Sequence, residues 1–187
     1  FHDSFNHGVM NWTLTGILMN SSNVGISMLG SELSPEKRYE YLKKFGIGES
    51  TRAGMPLEDA GMLHDPAEVD AQTNYVTMFG QGLSSTVVQT AGVYQTLAND
   101  GERIPPTVVK SCTAADGTTA KPDHGDKVRV VSKETASQMR SMLETSVNEG
   151  YLSKYLQIPG YRIAGKTGTA EQSDGAGGYR KDFVYSF

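Results

Sequence analysis

The sequence predicts an α+β fold in which helices and antiparallel strands occupy separate groups along the chain. Three observations predict it. Four regions (12–33 in two pieces, 34–46, 84–98 and 132–150) carry helical apolar spacing bounded by capping residues. The strand-like runs 104–110, 127–131 and 161–170 are short and separated by turn formers. A Gly-rich stretch at 174–178 connects the last of them to a returning run, the pattern of an antiparallel hairpin.

Taken in order, 12–33 places Leu14, Ile17, Leu18, Val24, Met28 and Leu29 at helical spacing, with Ser21-Ser22-Asn23 as a polar break between two short helices. Ser34-Pro35-Glu36 is a helix start, with Ser at the N-cap and Pro in the first turn; Tyr41, Leu42 and Phe45 follow, and Gly46 stops the helix. Residues 48–74 are rich in Gly, Pro, Asp and Glu without a sustained period and predict a long surface loop. Val87, Val88, Ala91, Tyr94 and Leu97 give the next helix its apolar side, and Asn99-Asp100-Gly101 ends it. The runs 104–110 and 127–131 predict two strands joined across the Asp116-Gly117 turn. Ser132 opens a helix with Met139, Met142, Leu143 and Val147 as its stripe and Gly150 as its stop. Residues 161–170 predict a strand, and 182–187 its returning partner.

At 187 residues the chain has room for one compact domain or most of one. Its 37% hydrophobic and 20% charged residues, with 21 glycines, describe a loop-rich globular composition. A net charge of -4 without a basic run gives no electrostatic footprint for nucleic acid. The single cysteine, Cys112, excludes an internal disulfide. No apolar run approaches the roughly 20 residues that span a bilayer. The chain opens at Phe1-His2-Asp3 with neither an initiator Met nor a signal-peptide pattern, and reads as an excised piece.

Two short motifs carry chemistry. Ser21-Ser22-Asn23 sits at a helix break, and Lys166-Thr167-Gly168 sits on a strand beside the Gly-rich hairpin. Each has a plain alternative: Ser and Asn are favoured caps, so the first could simply cap the helix after it, and the second could be an exposed strand end. Read together and in context, they resemble something more specific. Leu18-Met19-Asn20-Ser21-Ser22-Asn23-Val24-Gly25 resembles the second motif of class B penicillin-binding proteins. Phe79-Gly80-Gln81-Gly82-Leu83-Ser84, with Gln89-Thr90-Ala91, resembles their connecting segment. Gly165-Lys166-Thr167-Gly168-Thr169-Ala170 resembles their third motif, and Tyr185-Ser186-Phe187 the strand that follows. The resemblance runs in order along nearly the whole chain.

That resemblance implies the penicillin-binding transpeptidase fold, which is serine β-lactamase-like, with an antiparallel sheet and a helical cluster. It implies serine acyl transfer: a serine attacks the penultimate D-Ala carbonyl of a peptidoglycan stem peptide, expels the terminal D-Ala, and an amine of a neighbouring stem peptide takes the acyl group. Catalytic roles fall to Ser21 (proton relay), Asn23 (orienting the substrate peptide bond) and Lys166 (positive charge near the substrate carboxylate). Thr167 and Thr169 would bind that carboxylate, Gly168 would let the substrate backbone lie along the strand edge, and the Thr169 N–H would form half of the oxyanion hole. The implied partners are D-Ala-D-Ala stem peptides, β-lactam antibiotics, and a membrane glycosyltransferase with division or elongation proteins, at the outer side of the bacterial cell membrane. A serine β-lactamase or penicillin-sensor domain shares these motifs, and a non-catalytic wall-binding module remains a third reading.

The family's nucleophile lies in a Ser-x-x-Lys motif upstream of the second motif. Here the one literal match is Ser34-Pro35-Glu36-Lys37, on the wrong side of Ser21 and explained by capping. The expectation is therefore a partial transpeptidase domain over 1–187, incomplete at both ends. His2, His7, His64 and His124 have no metal-ligand spacing and read as surface or loop residues, and no cofactor is expected. Met139 and Met142 read as core, and Asp65, Glu68 and Asp70 as solvated loop charges.

Overall fold

The computed structural model describes residues 2–121, 125–151, 153–176 and 178–186. Its chain is mixed helix and strand, in two compact units. The first comprises Phe1–Ser34, Val69–Gly82 and Gln138–Phe187, and the second Pro35–Glu68 and Leu83–Ser137.

In the first unit, α1 (Leu14–Met19) and α2 (Asn23–Gly30) are the two short helices expected from the polar break. Thr13 caps α1 by accepting the Gly16 N–H, and Ser22 caps α2 by accepting the Gly25 N–H. The helices cross closely because Gly25 is bare: a Cβ there would lie 2.8 Å from Cγ1 of Ile17. Gly30 does the same for the 3-10 turn Thr77–Phe79, where a Cβ would meet Met78 Sδ at 2.7 Å. That turn follows α4 (Ala71–Val76), capped by Asp70 through the Thr73 N–H at 2.7 Å. Helix α6 (Lys133–Glu149), which belongs to this unit from Gln138 onward, buries Leu143 and Val147, and the short α7 (Ser153–Leu156) follows it. Strands β5 (Thr169–Ser173) and β6 (Tyr179–Ser186) pair antiparallel, Thr169 opposite Ser186, with a register irregularity between Glu171 and Ser173.

In the second unit, α3 (Pro35–Phe45) ends in a Schellman motif. Gly46 takes φ +93°, its N–H bonds the Lys43 carbonyl, and the Ile47 N–H bonds that of Leu42. Helix α5 (Val87–Ala98) opens with a capping box between Thr86 and Gln89. Gln89 is 1% exposed and spends its remaining donors on the Glu49 and Ala60 carbonyls, at 2.7 and 2.8 Å. The amide thus pins the long loop to α5, because carbonyls covered by α5 need a donor. The buried apolar side chains of this unit are Ile47, Ala53, Val130 and Ala136.

Several expectations need correction. Residues 104–110 form no strand: β1 is Glu102–Arg103, paired with β4 (Val128–Arg129), and Pro105-Pro106 cannot donate to a ladder beyond it. A separate small hairpin, β2 (Cys112–Thr113) with β3 (Thr119–Ala120), occupies the turn region. The strand expected over 161–170 begins only at Thr169, where β6 supplies partners. The returning strand starts earlier than 182, at Tyr179, and Phe187 lies outside the described residues. The 48–74 loop contains the 3-10 turn Pro66–Glu68 and the start of α4. Asp70 and Asp65 are therefore more than solvated charges, since Asp65 also accepts the Ala67 N–H at 2.9 Å.

Candidate active site

The first half of the site is the turn between α1 and α2. Helix α1 ends because Asn20 closes on it twice, with its backbone N–H and its Nδ2 both donating to the Gly16 carbonyl. Ser21 then takes φ +51°, a left-handed conformation that reverses the chain within one residue. Ser22 returns to extended backbone and caps α2. The two serines therefore part ways: Ser22 is 3% exposed and turned inward, and Ser21 is exposed at the apex.

The second half is the irregular stretch that leads into β5. Gly165 runs against α6, 3.7 Å from a Val147 methyl if it carried a Cβ. Lys166 then extends its side chain to donate to Ser21 Oγ, and also to the Thr167 carbonyl at 2.9 Å. Partial burial pulls the Lys166 ammonium below the ordinary lysine range, since the charged form loses hydration.

Ser21, Asn23, Lys166, Thr167, Gly168 and Thr169, the six residues singled out from sequence, all line one cleft of about 690 Å³. Its walls also take apolar contributions from Phe5, Ile17, Met78, Phe79 and Tyr151. A cleft with apolar walls and one convergent polar edge is the usual form of a small-ligand site. The six residues offer an ammonium, three hydroxyls and an amide, a set matched to a carboxylate and a peptide group, and Ser4, Asn20, Ser22 and Glu149 add further polar lining. Asn23 has a competing partner, its Nδ2 donating to the His2 carbonyl at 3.4 Å. Ser34 and Lys37 do not line the cleft, and Lys37 pairs with Glu40 at 2.8 Å.

Sequence reasoning missed Asp3. It is 6% exposed, accepts from Ser22 Oγ at 2.8 Å and the Val24 N–H at 2.9 Å, and takes a further bond from His7 at 2.8 Å. Burial alone would raise its pKa, but these hydrogen bonds outweigh it and hold the carboxyl below the ordinary aspartate value. His7, read as an ordinary loop residue, is thus a partner of a buried carboxylate. His124 lies outside the described residues.

The family model described as "Penicillin binding protein transpeptidase domain" matches residues 2–187. Penicillin-binding protein PbpB of Mycolicibacterium smegmatis is 43% identical over 98% of the chain, and that of Mycobacterium tuberculosis 42% over 98%. The crystal structure of penicillin binding protein 3 from Mycobacterium tuberculosis, complexed with ampicillin, superposes on the whole chain with a TM-score of 0.91 at 41% identity. The chain spans 29% and 28% of the two PbpB proteins and 43% of that crystallised chain. It belongs to the penicillin-binding protein transpeptidase family and has its fold.

Proposed function

From that membership we propose that the chain carries the second and third active-site motifs of a peptidoglycan D,D-transpeptidase of class B, an enzyme that also binds penicillin. The observation that carries the reading is the contact of Lys166 Nζ with Ser21 Oγ, two motif residues 145 positions apart, inside one cleft. Binding of ampicillin by the Mycobacterium tuberculosis protein supports the same assignment.

In this reading a serine oxygen attacks the penultimate D-Ala carbonyl, the acyl–oxygen bond forms, and the peptide C–N bond breaks. The departing D-Ala amine takes a proton through the Ser21 hydroxyl, which both accepts and donates. Lys166 attracts the terminal carboxylate, which Thr167 and Thr169 hydrogen-bond, and Gly168 leaves room for the substrate backbone. Asn23 turns from the His2 carbonyl to orient the substrate amide. An amine of a second stem peptide then takes the acyl group. A β-lactam enters by the same attack and stays, because its ring opens without a leaving fragment.

No serine of this sequence other than Ser34 has a lysine three positions on, and Ser34 is a helix start outside the cleft wall. We therefore assign the nucleophile to a Ser-x-x-Lys segment of the whole protein that is not among these 187 residues, and the chain to part of a transpeptidase domain. Among the described residues no helix is long and apolar enough to cross a membrane. A site that acts on peptidoglycan works on the outer side of the cell membrane, beside the glycosyltransferase and the division or elongation proteins that supply its substrate.

The test is peptide mapping by mass spectrometry after the whole protein is incubated with benzylpenicillin. The expected adduct lies on a serine outside this sequence. An adduct on Ser34 would overturn the placement of the nucleophile, and no adduct at all would favour the non-catalytic wall-binding reading.

A further inference from the structure

The catalytic reading uses Ser21 and leaves open what fixes a serine held at φ +51°. The backbone there is intrinsically strained, and such a residue persists only where its surroundings over-determine it. The following residue is the point of attachment. Ser22 donates to Asp3 Oδ2 at 2.8 Å while accepting the Gly25 N–H at 2.9 Å, and Asp3 Oδ1 takes the Val24 N–H at 2.9 Å. Two free N–H groups of the first turn of α2 are thus satisfied, one by each side chain, and a carboxylate there is favoured by the helix dipole.

His7 completes the arrangement. Its Nε2 meets Asp3 Oδ2 and its Nδ1 meets the Gly8 carbonyl, each at 2.8 Å. Both partners only accept, and each takes a bond only from a ring nitrogen that carries a proton, so together they favour the imidazolium. The rings of Phe5 and Trp12, with centroids at 5.1 and 5.4 Å, flank it. The Gly8 carbonyl and then Asp3 favour this charged form.

We propose that Asp3, held in place by His7, is the positioning residue that sets Ser21 against Lys166, an inference that rests on the transpeptidase reading. It touches neither substrate nor Lys166 and acts through Ser22 and Val24. A displacement of about 1 Å in a catalytic group can cost about 10²-fold in rate, so a loosened turn would be felt as slower acylation.

The experiment measures acylation of the whole protein by a fluorescent penicillin, separating the non-covalent dissociation constant from the acylation rate constant. Asp3→Asn keeps the shape and loses one acceptor. It should slow acylation by about tenfold or more with the dissociation constant little changed. In a Ser21→Ala background the same change should cost less than about twofold further, because the group it positions is gone. His7→Phe keeps an aromatic ring between Phe5 and Trp12, deletes the bond to Asp3, and should cost about threefold; it also serves if Asp3→Asn does not fold. Wild-type acylation in both variants, or equal losses with and without the Ser21 hydroxyl, would overturn the proposal and reduce Asp3 to a structural brace. If the unaltered protein is not acylated at all, the transpeptidase reading fails first and takes this inference with it.

Discussion

Replacement of Lys166 by methionine tests the centre of the site. Methionine keeps most of the length and apolar surface of the lysine stem and removes both the charge and the donor. The bond from Nζ to Ser21 Oγ and the 2.9 Å bond to the Thr167 carbonyl both disappear. A hydrogen bond from a charged group contributes about 1.5–3 kcal/mol, and each ~1.4 kcal/mol is a factor of ten. Donors aimed at developing charge in an active site reach about 10²–10³ in rate. Acylation by penicillin should therefore slow by about 100-fold. The fold should hold, because Lys166 is only partly buried and its burial disfavours its own charge. Since burial lowers its pKa, the charged lysine costs stability below that pKa, and the methionine variant should melt no lower there. The sign for activity is the reverse: in the proposed role the charged form attracts the substrate carboxylate, so wild-type acylation should fall as pH rises through a value below that of an ordinary lysine. The variant should lack that alkaline limb. Stopped-flow acylation across pH, with thermal melts in parallel, reads both. Acylation within about threefold of wild type, in a variant that melts normally, would refute the role given to Lys166.

Four further outcomes follow from particular contacts. Ser22→Ala removes the cap of α2 and a donor to Asp3, and should lower stability by about 1–2 kcal/mol in denaturant titrations; Ser21→Ala, at the exposed apex, should leave stability nearly unchanged and slow acylation instead. Gln89→Leu leaves the Glu49 and Ala60 carbonyls and the Thr86 N–H without their partner, and should cost about 3 kcal/mol, with hydrogen exchange speeding up in the 48–62 loop. Gly101→Ala places a Cβ 2.3 Å from the Val131 carbonyl oxygen at φ +84°, and a drop of about 3 kcal/mol or more in stability is expected by the same titration.

The helices were legible wherever local chemistry dictates them. Ser34-Pro35 before α3, Gly46 after it and the Asn99-Asp100-Gly101 stop of α5 act within one turn of chain, so a sequence displays them directly. Asp70 is an equally local cap, but 48–74 lacks the apolar period that marks a helix such as α4 in sequence. Strands are another matter. A strand exists where a partner meets it, and nothing within 161–170 shows that its described pairing begins at Thr169, opposite Ser186. At 104–110 the apolar character suggests a strand, but Pro105 and Pro106 cannot donate to a ladder.

The site was legible for a different reason. Ser21-Ser22-Asn23 and Lys166-Thr167-Gly168 are separately ordinary, and cap against active-site motif looked like a choice between rivals. In the structure the two functions fall on adjacent residues. Ser22 is the cap, and because it is buried as the cap, the reversal at Ser21 turns the neighbouring hydroxyl outward to Lys166. A helix start is a rigid place to mount a hydroxyl, so the cap role of one serine is the physical support for the role proposed for the other. Asp3 escaped because its partner lies 19 positions away, with no period or motif to connect them. A buried carboxylate clamping a helix start is read only after the chain has folded back on itself, which is why support of this kind is found in coordinates and the groups it supports are found in sequence.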